Sequence, residues 1–240
     1  MKHNRIWELD ALRGLCILGM VALHFLFDLT GLTGIISWEI PGWLLFIMDW
    51  GGVIFFLISG ICATLGSRCI RRGLIVLGCG LVVSAVTAGM YLLGMAYSAI
   101  IIWFGVLHCL GVCMLLWYFF RRLPTPVLGV LAVVFIALGL WFRTVTVESR
   151  WLFWLGLLYD GFTTSDYFPL LPYLGFFLAG SVLGRTLYRK KETLLPAVNP
   201  RAPLPRFLQW VGRWSLPIYM LHQPVLTGII YLILIVQEVS

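Results

Sequence analysis

His24 and Asp28 lie four residues apart inside a long apolar run, a spacing that puts both side chains on one face of a helix. A carboxylate one turn from an imidazole can hold it in one tautomer and raise its basicity, as a general base requires. A plainer reading stands beside this one. Asp28 can cap the helix end or reach the membrane interface, and His24 can hydrogen-bond a neighbouring helix. Ionisable groups at mid-depth in a membrane cost about 2.5–3.5 kcal/mol each on insertion scales, so each needs a reason. Asp10, Arg13, His24 and Asp28 make this first apolar segment the densest in such groups.

Arg13 precedes His24 by eleven residues. In a helix that separation is about 16 Å along the axis and about 20° off a common face. A pantetheine arm is of comparable length. Arg13 can therefore hold a coenzyme A phosphate while the thioester reaches His24. Equally, Arg13 can be a positive anchor paired with Asp10 or Glu8. His222 stands between Pro217 and Pro224, where the helix is expected to kink. His108 reads as a satisfied core histidine, and Asp166 as the N-cap of a helix beginning at Tyr167. Cys109 and Cys113 share a face beside His108, but buried cysteine is ordinarily a packing residue and no metal is expected.

The elements that position these groups follow from composition. The chain has 240 residues, 61% hydrophobic and only 11% charged, against about 25% charged in ordinary globular domains. Most of its surface cannot face water. Apolar runs near the 20 residues that a hydrocarbon core demands cover 10–29, 43–65, 73–93, 99–120, 126–142, 167–188 and 215–236. Backbone groups in lipid must be satisfied within each segment, so the fold class is all-α: a polytopic transmembrane bundle of about seven spans. An aromatic stretch at 151–159 is too short to cross and is expected to be an interfacial or re-entrant helix. The sequence reads as one domain, with a basic, proline-rich linker at 189–208. The Gly180–Gly184 pair predicts close helix packing.

With seven spans, all but Arg143 and Arg150 of the 17 Lys and Arg fall on one side. By the positive-inside rule that side, with the N-terminus, is cytoplasmic. The net charge of +7 thus calls for an anionic leaflet of membrane lipids and no nucleic acid. The N-terminal apolar run is too long and too interrupted for a cleaved signal. None of the six cysteines lies in an outer loop, so no disulfide framework is expected.

Three blocks carry a family resemblance: RIWELDALRGLCILGMVALHFLFDL (5–29), SDYFPLLPYLGFFLAGSVLGR (165–185) and GRWSLPIYMLHQPVL (212–226). Together they resemble the transmembrane acyltransferases, in particular bacterial relatives of heparan-α-glucosaminide N-acetyltransferase. The Arg13-to-His24 spacing is similar to an Arg-x10-His motif of the wider superfamily. The resemblance implies transfer of an acetyl or other acyl group from cytoplasmic acyl-coenzyme A to a sugar or lipid amine or hydroxyl outside a bacterial inner membrane. It implies His24 and Arg13 as catalytic and donor-contact residues and adds His222 without a firm role. The outer loop 30–42 contains no histidine, where those relatives place one.

The expected site is then His24 oriented by Asp28, with His222 nearby, and donor phosphates at Arg13, Arg68, Arg71 and Arg72. Two other classes remain open. One is a small transporter or lipid-binding bundle using the His–Asp pair, and the other a non-catalytic scaffold. Acceptor identity, acyl length and homo-oligomer formation stay open as well.

Overall fold

A computed structural model describes the backbone of residues 6–32 and 40–239. Most of the loop 30–42, with Trp38 and Glu39, lies outside the described residues, as do Lys2 and Arg5. Eight α-helices account for the architecture, with no strand among the described residues. They are α1 (Trp7–Phe27), α2 (Gly42–Leu65), α3 (Cys69–Leu92), α4 (Val106–Phe120), α5 (Thr125–Phe142), α6 (Leu170–Thr186), α7 (Pro203–Arg213) and α8 (Ser215–Val239).

Five of these are long and apolar enough to cross a membrane: α1 with its continuation to Thr30, α2, α3, α5 and α8. Large apolar side chains stand exposed along their lengths, among them Leu74, Leu81, Val82 and Val86 of α3. Such continuous apolar surface is what lipid contact requires. The protein is a helical membrane bundle. Helices α4 and α6 also occupy predicted spans, but at 15 and 17 residues they reach only about 22 and 25 Å, short of a roughly 30 Å core.

Their shortness corrects the sequence reading. The span expected from 99 is a single 3-10 turn (Ser98–Ile100) and an extended piece before α4 begins at Val106. Non-helical backbone in so apolar a segment needs partners from the protein, and residues 164–166 supply them. Thr164 Oγ1 donates to Ile101 O at 2.8 Å, and Ser165 Oγ donates to Ala99 O and Ile100 O. Asp166 does act as a helix cap, but for α4: its Oδ2 accepts from Val106 N–H at 3.0 Å. The segment 151–159 is likewise not a helix. It holds one 3-10 turn (Phe153–Leu155) that ends at Gly156 with φ 118°, and Val147 N–H then pairs with Leu158 O at 2.9 Å. An amphipathic helix forms elsewhere, in α7, within and beyond the proline-rich segment. Leu204, Phe207, Trp210 and Trp214 are exposed on one side, with Arg206, Gln209 and Arg213 opposite.

The helices fall into two compact units, Met1–Phe55 with Thr193–Ser240, and Phe56–Glu192. In the first, α1 and α7 cross closely because both are glycine at the contact. A Cβ at Gly14 would overlap the carbonyl of Leu208, and one at Gly212 the carbonyl of Asp10. Buried Glu8 fixes the approach to α7, accepting from Thr193 Oγ1 at 2.9 Å and from Leu194 N–H at 2.8 Å.

In the second unit, Gly180 and Gly184 of α6 meet Leu57, Ile61 and Thr64 of α2 with no room for a side chain, as the small-residue pair predicts. Phe56, Tyr173, Phe177 and Trp117 fill the centre, and Trp117 Nε1–H donates to Ala63 O at 3.1 Å. Arg185 ties off the C-terminal end of α4, donating to Leu123 O and Arg121 O. The lone histidine of this unit, His108, is a core histidine. Its Nδ1 accepts from Gly105 N–H and its Nε2 faces Ser84 Oγ at 3.1 Å.

Candidate functional site

Helix α1 carries Arg13 and His24 on one continuous run, and Asp28 follows as its C-cap. At Asp28 the helix widens into a π turn (Asp28–Leu32), a departure often found where a helix serves a site. Asp28 is 4% exposed, whereas His24 is exposed. Across from them α8 brings His222 and Gln223. Pro224 follows, and its missing N–H releases a carbonyl one turn earlier.

The two histidine rings meet edge to face with centroids 5.0 Å apart. Asp28 Oδ2 accepts from Gln223 Nε2 at 2.9 Å. No hydrogen bond joins His24 to Asp28 among the described residues, so the orienting contact expected from their spacing is not made directly. His222 Nδ1 faces the carbonyl of Tyr219, and the Tyr219 ring packs at 5.3 Å from the imidazole. A carbonyl only accepts, so the proton of neutral His222 sits on Nδ1 and its Nε2 carries a lone pair. That Nε2 and Gln223 Oε1 are buried without a hydrogen-bond partner among the described residues.

The expected donor residues separate. Arg13 Nη1 lies 3.5 Å from Asp10 Oδ1, and Arg213 Nε lies 3.7 Å from Asp10 Oδ2. Arg13 therefore sits in an ion-pair group rather than against Glu8. Arg68 and Arg71 belong to the other unit, where with Arg121 they line a cavity of 580 Å³ at the turn between α2 and α3. Tyr118 and Trp117 form its aromatic wall, and the Arg121 guanidinium stacks 4.7 Å from the Tyr118 centroid. Arg72 is not among the lining residues, and neither is His24. The volume is within the usual 300–1,000 Å³ of small-molecule sites. Three guanidiniums with an aromatic face suit a phosphorylated, ring-bearing ligand.

Two functional candidates escape the sequence reading. Gln223 shows there only as a polar residue next to His222 in an apolar run, and its pairing with Asp28 joins positions 195 residues apart. Arg121 reads as one of many basic loop residues until the fold turns it into the cavity. Among the described residues, no three His, Cys, Asp or Glu side chains gather as a metal-binding group. Cys109 instead donates weakly to Pro169 O, and Cys113 is packed in the core.

The family model that matches is described as heparan-alpha-glucosaminide N-acetyltransferase, catalytic, and covers residues 5–224. No curated protein and no solved structure matches the chain.

Proposed function

Since this chain belongs to the heparan-alpha-glucosaminide N-acetyltransferase catalytic family, we propose that it moves an acetyl or other acyl group from cytoplasmic acyl-coenzyme A to an amine or hydroxyl of a sugar or lipid outside the membrane. The observation that carries this reading is the polar group His24, Asp28, His222 and Gln223, assembled from two membrane-spanning helices. Four polar side chains placed together in apolar helices are costly unless they serve a reaction or a ligand.

In this mechanism His24 takes the proton from the acceptor as its nitrogen or oxygen attacks the thioester carbonyl. The carbon–sulfur bond breaks, and the proton passes on to the coenzyme A thiolate. His24 suits the role because it is exposed, while Asp28 and His222 Nδ1 already have partners. The basic cavity of Arg68, Arg71 and Arg121 is the proposed seat of the donor phosphates, with the adenine against Tyr118. Arg13 remains a second candidate for a donor contact. A cytoplasmic N-terminus and seven passes are part of the proposal, supported by the one-sided distribution of Lys and Arg; α4 and α6 would complete their crossings with the non-helical residues just before them.

The reading is tested with purified protein, radiolabelled acetyl-coenzyme A and a panel of amino sugars, sugars and lipids. Transfer of label that saturates with donor is expected. Failure to label any acceptor, with coenzyme A bound or not, returns the molecule to the transporter or lipid-binding class.

A further inference from the structure

Gln223 has an amide whose two ends do different things. Its Nε2 donates to Asp28 Oδ2 at 2.9 Å. A carboxylate only accepts, so this contact fixes the flip of the amide and commits the other end to being a carbonyl oxygen. That Oε1 is buried and has no hydrogen-bond partner among the described residues. The adjacent His222 is in the same condition: Nδ1 is occupied by the Tyr219 carbonyl, and Nε2 is a buried lone pair with no donor. Buried polar atoms in proteins are nearly always satisfied. Two bare acceptors in the same polar group therefore call for a ligand that brings hydrogens, and a primary amine brings more of them than a hydroxyl does.

We propose that Gln223 is an acceptor-binding and specificity-determining residue, its carbonyl oxygen taking one hydrogen of a primary amine beside His222 Nε2. Asp28 is the positioning residue that turns the amide this way round, which gives that carboxylate a task other than orienting His24. The inference rests on the acyltransfer reading for its choice of an amine acceptor, while the geometry of the two bare acceptors does not depend on it. A neutral primary amine has two hydrogens, so with one held by Gln223 the other is the one His24 removes as the nitrogen attacks.

The experiment measures binding of glucosamine and of glucose to the purified wild-type chain by calorimetry with coenzyme A present, and then to Gln223→Met and Gln223→Leu. The expected result is tighter binding of glucosamine than of glucose, by about 10-fold, and loss of that preference in both variants. Equal binding of the two sugars by wild type overturns the proposal, as does no measurable binding of glucosamine or a preference that survives in the variants. The wild-type comparison decides even if a variant does not fold. Acetyl transfer to glucosamine is followed in parallel. Gln223-dependent binding without any transfer sinks the acyltransfer reading and leaves this one standing. Transfer with an unaltered KM for glucosamine in Gln223→Met does the reverse.

Discussion

Replacing Arg71 by glutamine tests directly whether the basic cavity holds the donor. Arg68, Arg71 and Arg121 line it, whereas Arg72, on the next helical position, does not. A charge-assisted hydrogen bond contributes about 1.5–3 kcal/mol, or roughly 10–150-fold in affinity. Arg68 and Arg71 are exposed at the cavity edge, so solvent and salt screen part of that and the lower end applies. Arg71→Gln is therefore expected to weaken coenzyme A binding by about 10-fold, and Arg68→Gln by a similar amount. Calorimetry in detergent gives the affinities. Raising the salt should narrow the gap between wild type and either variant, because it screens the interaction the variant lacks. Arg72→Gln is the control and should bind within about twofold of wild type. The reasoning is refuted if Arg72→Gln weakens binding as much as Arg71→Gln, or if neither changes it. The basic cavity would then be an ordinary cytoplasmic rim.

Three further expectations follow from the same geometry. His24→Ala should lose at least about 100-fold in turnover while still binding coenzyme A, the usual contribution of a general base; near-normal turnover at saturating donor would move the role to His222. Asp166→Ala removes the acceptor on Val106 N–H at the start of α4, which costs about 1–2 kcal/mol and should lower Tm by about 2–8 °C without touching donor affinity. An unchanged melting curve would mean that the Asp166 contact contributes nothing. Thr146 is exposed in the segment between α5 and α6, so Thr146→Cys in a cysteine-free background should react with an impermeant thiol reagent from outside intact cells. Reaction only after permeabilisation would reverse the orientation.

Much of the bundle was legible in the chain because lipid leaves a backbone so few choices. Continuous apolar runs at 10–29, 43–65, 73–93, 126–142 and 215–236 fall on α1, α2, α3, α5 and α8, since a helix alone satisfies every backbone group within the run. His24, Asp28 and His222 stood out for the same reason, as ionisable groups where hydrophobicity is expected. The tight crossing at Gly180 and Gly184 was visible in the spacing of two residues without side chains. Where local pattern misled, a local alternative was present. Pro203 and Pro205 read as linker, yet proline is well placed in the first turn of a helix, and the stripe of Leu204, Phe207, Trp210 and Trp214 was the better signal.

Tertiary structure decided what depends on partners remote in sequence. The residues before α4 are apolar enough to continue a helix to 99, but Thr164, Ser165 and Asp166 satisfy them in extended form and cap the helix at Val106. Asp28 has His24 one turn away on its own helix, yet it bonds Gln223 of α8. Arg71 rather than Arg72 reaches the cavity with Arg121, because only packing of the α2–α3 turn on the end of α4 selects between neighbouring guanidiniums. Hydrophobic periodicity fixes where a helix lies and which face it buries. A hydrogen bond depends on an orientation and on about an ångström of distance, and residues 195 positions apart acquire both only when the chain has folded.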